Sequence, residues 1–397
     1  MIQLSNRLLE MEESATIAMS RKSRELKSQG KDIISLSLGE PDFYTPDFIK
    51  QAASQAMVDN YTMYTPVPGY DDLRDAICEK FKRDNGLNYS KEQIVVSTGA
   101  KQSIANVVMS LINPGDEVII PAPYWVSYIE IVKVAGGIPV IIQSDISSNF
   151  KINSKQLHEA VTSKSKLMIF STPCNPTGSV YSKVELEDLA SVIKKHPNLM
   201  VLSDEIYEHI NFIGKHESLA QFDEIFNQVI TVNGVSKAWA MTGWRLGYIG
   251  APVELASACS KVQGQFTSAT CSITQKATIA ALQKNPAFLA DMLGAFKKRR
   301  KLVLNALRAM EEVKVNEPDG AFYFFPDISS FFGKSYNGKT VNNADDLSLY
   351  LLEEALVALV TGSAFGSPDC IRISYATDEN TLIEAMNRIA AALKKLK

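Results

Sequence analysis

The segment Gln228-Val-Ile-Thr-Val-Asn-Gly-Val-Ser-Lys237 is a short run of branched apolar residues that ends in glycine and polar residues. Short apolar runs bounded by such residues are typical of strands buried on both faces of a sheet. Five similar runs precede it, at 93–97, 117–121, 138–142, 167–171 and 200–203. Amphipathic helical patterns alternate with these runs over about residues 47 to 285. The sequence therefore predicts an α/β fold with a mostly parallel central sheet flanked by helices.

The C-terminal part of the chain has a different pattern. A long charged helical pattern passes through Lys297-Lys-Arg-Arg-Lys301 and is followed by the strand-like Ala321-Phe-Tyr-Phe-Phe325, a helix at about 345–358 and the strand-like Cys370-Ile-Arg-Ile-Ser-Tyr375. This pattern predicts a smaller α+β domain made of residues 1–46 and 286–397, beside a large domain of residues 47–285. We interpret the basic run 297–301 as a solvated helix face.

Composition limits the possible classes of protein. The 397 residues are 46% apolar, which is enough to bury the cores of two or three domains. A net charge of −3 gives no overall electrostatic signature for binding nucleic acid or an anionic membrane. The charged N-terminus does not fit a signal peptide, and no apolar run is long enough to span a membrane. Five cysteines without a Cys-x-x-Cys pair, with only four histidines, predict a reduced cytoplasmic protein without a metal site.

Polar or glycine-bearing motifs follow four of the predicted strands. They are Ser97-Thr-Gly-Ala-Lys101, Ser171-Thr-Pro-Cys-Asn-Pro-Thr-Gly178, Ser203-Asp-Glu-Ile-Tyr207 and Asn233-Gly-Val-Ser-Lys237. In open parallel sheets, ligands bind in the crevice at the carboxyl ends of the strands. We therefore expect the four motifs to converge on one site.

Two of these motifs carry lysines whose surroundings suggest chemistry. Lys237 lies near an apolar, Trp-rich sequence, where desolvation lowers the pKa of an amine and makes it a nucleophile toward a carbonyl. The alternative is a solvated loop lysine. The turn at Gly99 and Ala100 opens a helical pattern, so free N–H groups and the helix dipole favour a phosphate there. Lys101 in that first turn opposes the dipole unless an anion lies nearby, and it could equally be an exposed lysine.

Three further residues could bind charged groups. Asp204 follows a buried strand, and a buried carboxylate needs a cationic or hydrogen-bonding partner such as a protonated heterocycle nitrogen. Tyr207, three residues later, would share a helical face with it, although it could be an ordinary packing residue. Arg245 suits two-bond recognition of a phosphate, and the alternative is a surface ion pair.

A competing motif occurs near the C-terminus. Gly333-Lys-Ser-Tyr-Asn-Gly-Lys-Thr340 matches the nucleotide-binding pattern G-x-x-x-x-G-K-[ST]. A phosphate-binding loop of this type should leave a buried strand directly, but the preceding strand pattern ends at Phe325. We therefore predict a surface loop at 333–340 that binds no nucleotide.

Taken together, these residues resemble a known family. The segments Ser203–Tyr207, Ser236-Lys237 and Arg245, preceded by Asn175-Pro-Thr-Gly178, resemble the class I aminotransferases of pyridoxal-phosphate fold type I. The resemblance also covers Leu38-Gly-Glu-Pro-Asp-Phe43, Tyr64-Thr-Pro-Val-Pro-Gly69, Pro123-Tyr-Trp-Val-Ser-Tyr128 and Ile371-Arg-Ile-Ser-Tyr375. Through Ser14-Ala-Thr-Ile-Ala18, Gly99-Ala-Lys-Gln102 and 241–247, the chain is most similar to the bacterial branch that contains aspartate and prephenate aminotransferases.

The resemblance implies pyridoxal 5′-phosphate as cofactor and a role for each matching residue. Lys237, Asp204 and Tyr207 would be catalytic: Lys237 would bond the cofactor and move the proton, while Asp204 would keep the ring nitrogen protonated. The other implied cofactor contacts are Asn175 and Tyr207 at the 3-oxygen, Trp125 stacked on the ring, and Gly99, Ala100, Arg245 and Tyr64 of a second subunit at the phosphate, with an uncertain role for Ser236. The implied substrate contacts are Arg372 at the α-carboxylate, Lys101 at a distal carboxylate, and Gly39, Trp125 and Asn175.

Two departures from the family pattern affect these expectations. Many relatives have a phosphate-binding serine three residues before the lysine, where this chain has Gly234. Prephenate-using relatives often carry a basic residue just before the Ser-Ala-Thr segment, where this chain has Glu12-Glu13. The second departure favours aspartate over prephenate, and the resemblance implies a homodimer, with active sites at the interface, that transfers an amino group between aspartate and 2-oxoglutarate by a ping-pong mechanism. The alternatives are a prephenate or aromatic aminotransferase, the cofactor-binding domain of a regulator, and a P-loop nucleotidase.

Overall fold

The computed structural model describes residues 2–9 and 11–397. The helices are α1 Asn6–Leu9, α2 Ala15–Ser28, α3 Asp47–Val58, α4 Asp71–Lys80, α5 Ala100–Leu111, α6 Ser127–Val134, α7 Ser154–Ala160, α8 Lys183–Ile193, α9 Val253–Phe266, α10 Ser272–Gln283, α11 Ala290–Arg308, α12 Ala344–Glu354 and α13 Glu379–Leu393. The strands are β1 Ile34–Ser35, β2 Ile94–Ser97, β3 Glu117–Pro121, β4 Ile138–Ile142, β5 Ser165–Ser171, β6 Met200–Asp204, β7 Val229–Gly234, β8 Gly247–Gly250, β9 Tyr323–Phe324, β10 Ser335–Tyr336, β11 Lys339–Thr340, β12 Val357–Ala358, β13 Val360–Thr361 and β14 Ile371–Ser374.

The central sheet has seven strands in the order β2-β8-β7-β6-β5-β3-β4. The pairs β7/β6, β6/β5, β5/β3 and β3/β4 are parallel, whereas β8 is antiparallel to both of its neighbours. The predicted α/β class is therefore confirmed, and each of the six predicted apolar runs forms a strand. Strand β8, which is four residues long and begins and ends in glycine, was not predicted.

Both faces of this sheet are covered. Along β5, Leu167 and Ile169 pack in one core cluster, and Met168 and Phe170 pack in another, because successive side chains of a strand point to opposite faces. The first cluster also contains residues of α5, α6 and α9, and the second contains residues of α4, α8 and α10. Burial on both faces explains why these strands are continuous apolar runs.

The remaining strands lie in smaller sheets. The three strands β13-β14-β9 form an antiparallel sheet, and β1 pairs in parallel with β12, which joins residues near the N-terminus to the C-terminal part. The predicted helix at 345–358 ends earlier, at Glu354, since residues 357–358 form a strand instead. The boundaries proposed for the two domains stay a prediction.

The structure contradicts part of the interpretation of the basic run 297–301, and it shows a hairpin within the competing motif 333–340. The interpretation of 297–301 as a fully solvated face is wrong for Arg299, which is 8% exposed, because its guanidinium pairs with Asp42. Residues 335–340 form an exposed β-hairpin, in which Lys339 pairs with Glu353, rather than a strand–loop–helix unit. None of the helices described is long and apolar enough to cross a membrane.

Candidate active site

The carboxyl ends of β5, β6 and β7 border a cavity of about 370 Å³. The N-terminus of α5, the segments 14–17 and 38–40, and β14 complete its wall. The residues predicted for the site that line this cavity are Gly39, Ala100, Lys101, Trp125, Asn175, Asp204, Tyr207, Ser236, Lys237, Arg245 and Arg372. Residues from four separate strand ends and from β14 therefore meet at one place, as the sequence predicted for the strand ends.

Lys237 lies three residues after β7 and points into the cavity. Its Nζ donates a hydrogen bond to the carbonyl of Gly39 at 2.6 Å and lies 5.6 Å from the ring centre of Tyr207. Burial, together with the positive charge of Arg372, lowers the pKa of Lys237 to about 8. An amine with this pKa is partly unprotonated near neutral pH and can attack a carbonyl.

Asp204 is the last residue of β6 and is 5% exposed. Its Oδ2 accepts a hydrogen bond from the hydroxyl of Tyr128 at 2.7 Å, and its Oδ1 accepts one from the N–H of Ile206 at 3.3 Å. Burial raises the pKa of Asp204 to about 6, against the opposing effect of the Tyr128 hydrogen bond. Asp204 lines the cavity, and within the described residues it forms no salt bridge. Its carboxylate is therefore available to bind a cationic group of a ligand.

Arg372 lies on β14 and is 2% exposed. Its guanidinium donates to Oδ1 of Asn175 at 3.0 Å and to the carbonyl of Ser37 at 2.5 Å, and it lies 4.7 Å from the ring centre of Tyr323. Its Nε has no hydrogen-bond partner within the part of the chain that the structure describes. A buried cation with no carboxylate beside it suits an anionic ligand.

Two tyrosines at the site were not singled out from the sequence. The hydroxyl of Tyr323 lies 2.7 Å from that of Tyr207, and Tyr128 contacts Asp204 as described above. Both occur in aromatic segments that the sequence analysis quoted, at 321–325 and 123–128. Their roles depend on partners from distant parts of the chain, which local sequence does not reveal.

The other side of the cavity is built to hold an anion. Gly99 has φ +87°, a conformation that is strained for residues with a Cβ, and a Cβ there would lie 2.4 Å from Nη2 of Arg245, so glycine lets the guanidinium approach the helix N-terminus closely. Ala100 begins α5, a twelve-residue helix with no acidic residue in its first turn. Burial and the charge of Arg245 lower the pKa of Lys101, whose Nζ lies 4.9 Å from the ring centre of Trp125. Two cations and a helix N-terminus therefore share this corner.

Comparison with known proteins identifies the family. The pattern of the family "Aminotransferase class I and II" matches residues 31–389, most of the chain. The chain belongs to this family. The family assignment made from the sequence is therefore confirmed, and the chain is an aminotransferase.

Named relatives cover the full length of this aminotransferase. It is 46% identical over 391 residues to the aspartate/prephenate aminotransferase of Cereibacter sphaeroides, covering 98% of each chain. It is 47% identical to a bifunctional aspartate aminotransferase and glutamate/aspartate-prephenate aminotransferase of Petunia hybrida, covering 100% of this chain and 84% of that protein. Among solved structures, the aspartate aminotransferase of Rhizobium meliloti is 43% identical with a TM-score of 0.97 over 100% of both chains. That of Thermus thermophilus with maleate is 39% identical with a TM-score of 0.93, over 99% of this chain and 100% of that one.

Two predicted cofactor contacts, Tyr64 and Ser236, and the glycine at 234 need separate comment. Tyr64 is fully exposed and does not line the cavity of its own chain, so its contact through a second subunit stays a prediction. Ser236 is 8% exposed and lines the cavity. At Gly234 a Cβ would lie 2.9 Å from Cα of Gly247 and from the carbonyl oxygen of Leu246. The close approach of β7 and β8 therefore explains why this aminotransferase has glycine, not serine, at 234.

Proposed function

We propose that this aminotransferase transfers the amino group between L-aspartate and 2-oxoglutarate, with pyridoxal 5′-phosphate as its cofactor. The observation that carries the proposal is the meeting of an amine of lowered pKa, Lys237, with a buried carboxylate, Asp204, and a buried guanidinium, Arg372, in one cavity. Relatives of full length that are named aspartate aminotransferases support the choice of substrate.

The residues of the cavity fit the cofactor. Pyridoxal phosphate, when bound, supplies an electron sink that stabilises negative charge at the substrate Cα. Asp204, held by Tyr128, would bind the protonated ring nitrogen, and the glycine cradle at Gly99 with Arg245 would bind the phosphate. In addition, we assign Ala100 to the phosphate, Trp125 to the ring face, and Asn175 and Tyr207 to the 3-oxygen.

Lys237 would carry out the two chemical steps that a residue of the protein, as opposed to the cofactor, performs. Its amine would hold the cofactor at the carbonyl carbon, with loss of one water, which the pKa of about 8 permits near neutral pH. Once displaced by the incoming amino acid, the same amine would accept the proton lost from the substrate Cα, and as the ammonium group it would donate that proton to the cofactor carbon that the lysine had held. The Gly39 carbonyl, 2.6 Å from Nζ, orients the amine toward the cavity.

Charge complementarity would select the substrate. Arg372 binds the α-carboxylate, and Asn175 keeps its guanidinium in place. Lys101 binds the distal carboxylate of aspartate or 2-oxoglutarate. At Gly39 a side chain would meet the hydroxyl of Tyr323 at 2.4 Å, so glycine keeps this wall clear for the substrate.

The test follows the two half-reactions separately. L-aspartate alone should change the absorbance spectrum of the bound cofactor, and 2-oxoglutarate added afterwards should restore it, because one site serves both half-reactions in turn. Alanine serves as the neutral control, with a far smaller change expected. If aspartate leaves the spectrum of the loaded protein unchanged, the proposal is wrong.

A second candidate is transamination of prephenate, since several relatives are named aspartate/prephenate aminotransferases. The acidic residues Glu12 and Glu13 argue against it, because prephenate-using relatives often carry a basic residue at this place, directly before Ser14 of the cavity wall. Comparison of kcat/KM for aspartate, prephenate and phenylalanine decides between them. A higher kcat/KM for prephenate than for aspartate would favour the second candidate.

Two further proposals concern the setting of the enzyme. We propose a homodimer with the active sites at the interface, supported by the full exposure of Tyr64 beside Met63, which is 83% exposed. We also retain the cytoplasmic location predicted from the cysteine content, and all five cysteines are free thiols.

A further inference from the structure

One side chain of the basic run 297–301 is turned into the protein, although the proposed chemistry does not use it. The side chain of Arg299, on α11, is 10% exposed, whereas that of the adjacent Lys298 is 71% exposed. Nη1 and Nη2 of Arg299 donate to the two carboxylate oxygens of Asp42 at 2.6 and 2.8 Å. The guanidinium also lies 5.3 Å from the ring centre of Phe43. A contact of this geometry fixes both the position and the orientation of the segment that carries Asp42.

Asp42 belongs to residues 37–43, here called the carbonyl loop, which lies between β1 and α3. Among the residues that the structure describes, no N–H of this loop donates to a backbone carbonyl. Its conformation is therefore set by side chains from elsewhere. Arg372 donates to the carbonyl of Ser37, and Lys237 donates to that of Gly39. The loop thus contacts the cation proposed to bind the substrate α-carboxylate and the lysine proposed to transfer the proton.

The ion pair between Arg299 and Asp42 differs from these two contacts. Lys237 bonds the cofactor and Arg372 binds the substrate, so both have other partners during turnover. Neither Arg299 nor Asp42 lines the cavity, so a ligand bound there does not compete for their contact. It anchors the loop three residues from the Gly39 carbonyl.

We propose that Arg299 is a positioning residue for substrate binding. Through Asp42 it holds the carbonyl loop so that the Ser37 carbonyl orients the guanidinium of Arg372 toward the substrate carboxylate. This inference rests on the proposed function, which assigns that carboxylate to Arg372. Because Arg372 contacts the carboxylate equally before and during the reaction, a displaced loop weakens binding more than it slows the chemical steps.

Steady-state kinetics of the holoenzyme with aspartate and 2-oxoglutarate test the proposal. Arg299→Met should raise KM for aspartate about tenfold and change kcat by less than about threefold. Arg299→Lys should lie between Met and wild type, since an ammonium group keeps the charge but not the two-bond geometry. Lys298→Met is the matched control on the same helix and should behave as wild type. A KM for Arg299→Met equal to that of Lys298→Met would overturn the proposal.

Hydrogen exchange of the same holoenzymes gives a readout that does not depend on turnover. Arg299→Met should speed exchange of the Leu36 N–H, which borders the carbonyl loop and donates to the carbonyl of Ala358, and leave exchange in peptides of the central sheet unchanged. Faster exchange throughout the chain would mean that Arg299 supports the fold as a whole, and the inference would be wrong. If Arg299→Met does not fold, Asp42→Asn supplies the same comparison. If wild type fails to use aspartate, the proposed function fails, while exchange still tests the contact itself.

Discussion

At the scale of single residues, Lys237 combines burial and a neighbouring cation, which lower the pKa of its amine, with a hydrogen bond to Gly39 that fixes the position of the amine. Lys237→Ala removes the nucleophile and the proton carrier, so transamination should fall by at least roughly 10³-fold while the protein remains folded. Activity assays with circular dichroism check both statements. Lys155→Ala, at a side chain that is 82% exposed, is the control. Near wild-type turnover by the Lys237 variant would refute its central role.

Asp204 is predicted to act on stability as well as on activity. Its pKa of about 6 lies above the ordinary value of 3.8, so the folded protein disfavours the ionised form and loses stability as pH rises from about 4 to about 6. In cofactor-free protein, Asp204→Asn should remove this penalty and stabilise the fold at pH 8 by roughly 1–3 kcal/mol, with a smaller gain at pH 5. Denaturant unfolding at the two pH values measures the gain. An equal effect at both would contradict the assignment of the pKa.

The same substitution should nearly abolish activity in the loaded enzyme. A neutral amide does not stabilise a protonated ring nitrogen, so the cofactor remains bound through its other contacts but accepts electrons poorly. Cofactor content and kcat are measured on the same preparation. An unchanged kcat would remove Asp204 from the catalytic set.

Lys101 is the residue on which dicarboxylate specificity depends in this proposal. Burial and Arg245 lower its pKa, so an anion nearby would be strongly favoured. Lys101→Ala should reduce kcat/KM for aspartate more than for alanine, by about 1.5–3 kcal/mol of transition-state stabilisation. Equal losses for the two substrates would mean that Lys101 serves the cofactor or the fold instead.

At the scale of elements, the close contact of β7 with β8 restricts position 234, three residues before Lys237, to glycine. Gly234→Ser would place a side chain against backbone atoms of Leu246 and Gly247, which cannot move without breaking the sheet. We expect a loss of about 1–3 kcal/mol in the free energy of unfolding and no gain in cofactor affinity. Gly294→Ser, where an added side chain meets nothing within 4 Å, is the control. Tighter cofactor binding by Gly234→Ser would contradict this explanation.

The elements also show where sequence reasoning succeeds and fails. Strands such as β5 and β6 were predictable because burial on both faces requires uninterrupted apolar residues. In contrast, β8 was not predicted. Its glycines at 247 and 250 make room for close neighbours, the backbone of Ala100 and the ring of Tyr89, and do not reflect a preference for strand. Arg299 likewise resembles its solvated neighbours in sequence, and only its distant partner Asp42 makes it different.

At the scale of the whole molecule, the role proposed for Tyr64 requires more than a single chain. Its side chain is fully exposed here, and the phosphate contact proposed for it requires a second subunit. Tyr64→Phe should weaken cofactor binding about tenfold through loss of one hydrogen bond to a charged group, whereas Tyr44→Phe, also largely exposed, should not. Cofactor titration and sedimentation test this together. A fully active monomer would contradict both the contact and the proposed homodimer.

Only some residues of the candidate site could be placed from the sequence, because the sequence does not show contacts between distant parts of the chain. The motifs at the strand ends could be placed together from sequence, because a parallel sheet brings those ends to one edge. Arg372 was assigned only through the family resemblance, since nothing near it in sequence indicates that β14 reaches the cavity. Tyr323, which meets Tyr207 from a segment more than a hundred residues away, was not assigned at all.

The antiparallel direction of β8 has a thermodynamic consequence. Because β8 runs back beside β7, Lys237 after one strand and Arg245 before the other belong to a single short loop. A ligand that is bonded to the lysine and held by the arginine links two points of this loop. Part of the entropy lost in ordering the loop is therefore lost on folding, and the rest on ligand binding. By mass action, tighter binding of the cofactor therefore stabilises this strand pair against unfolding.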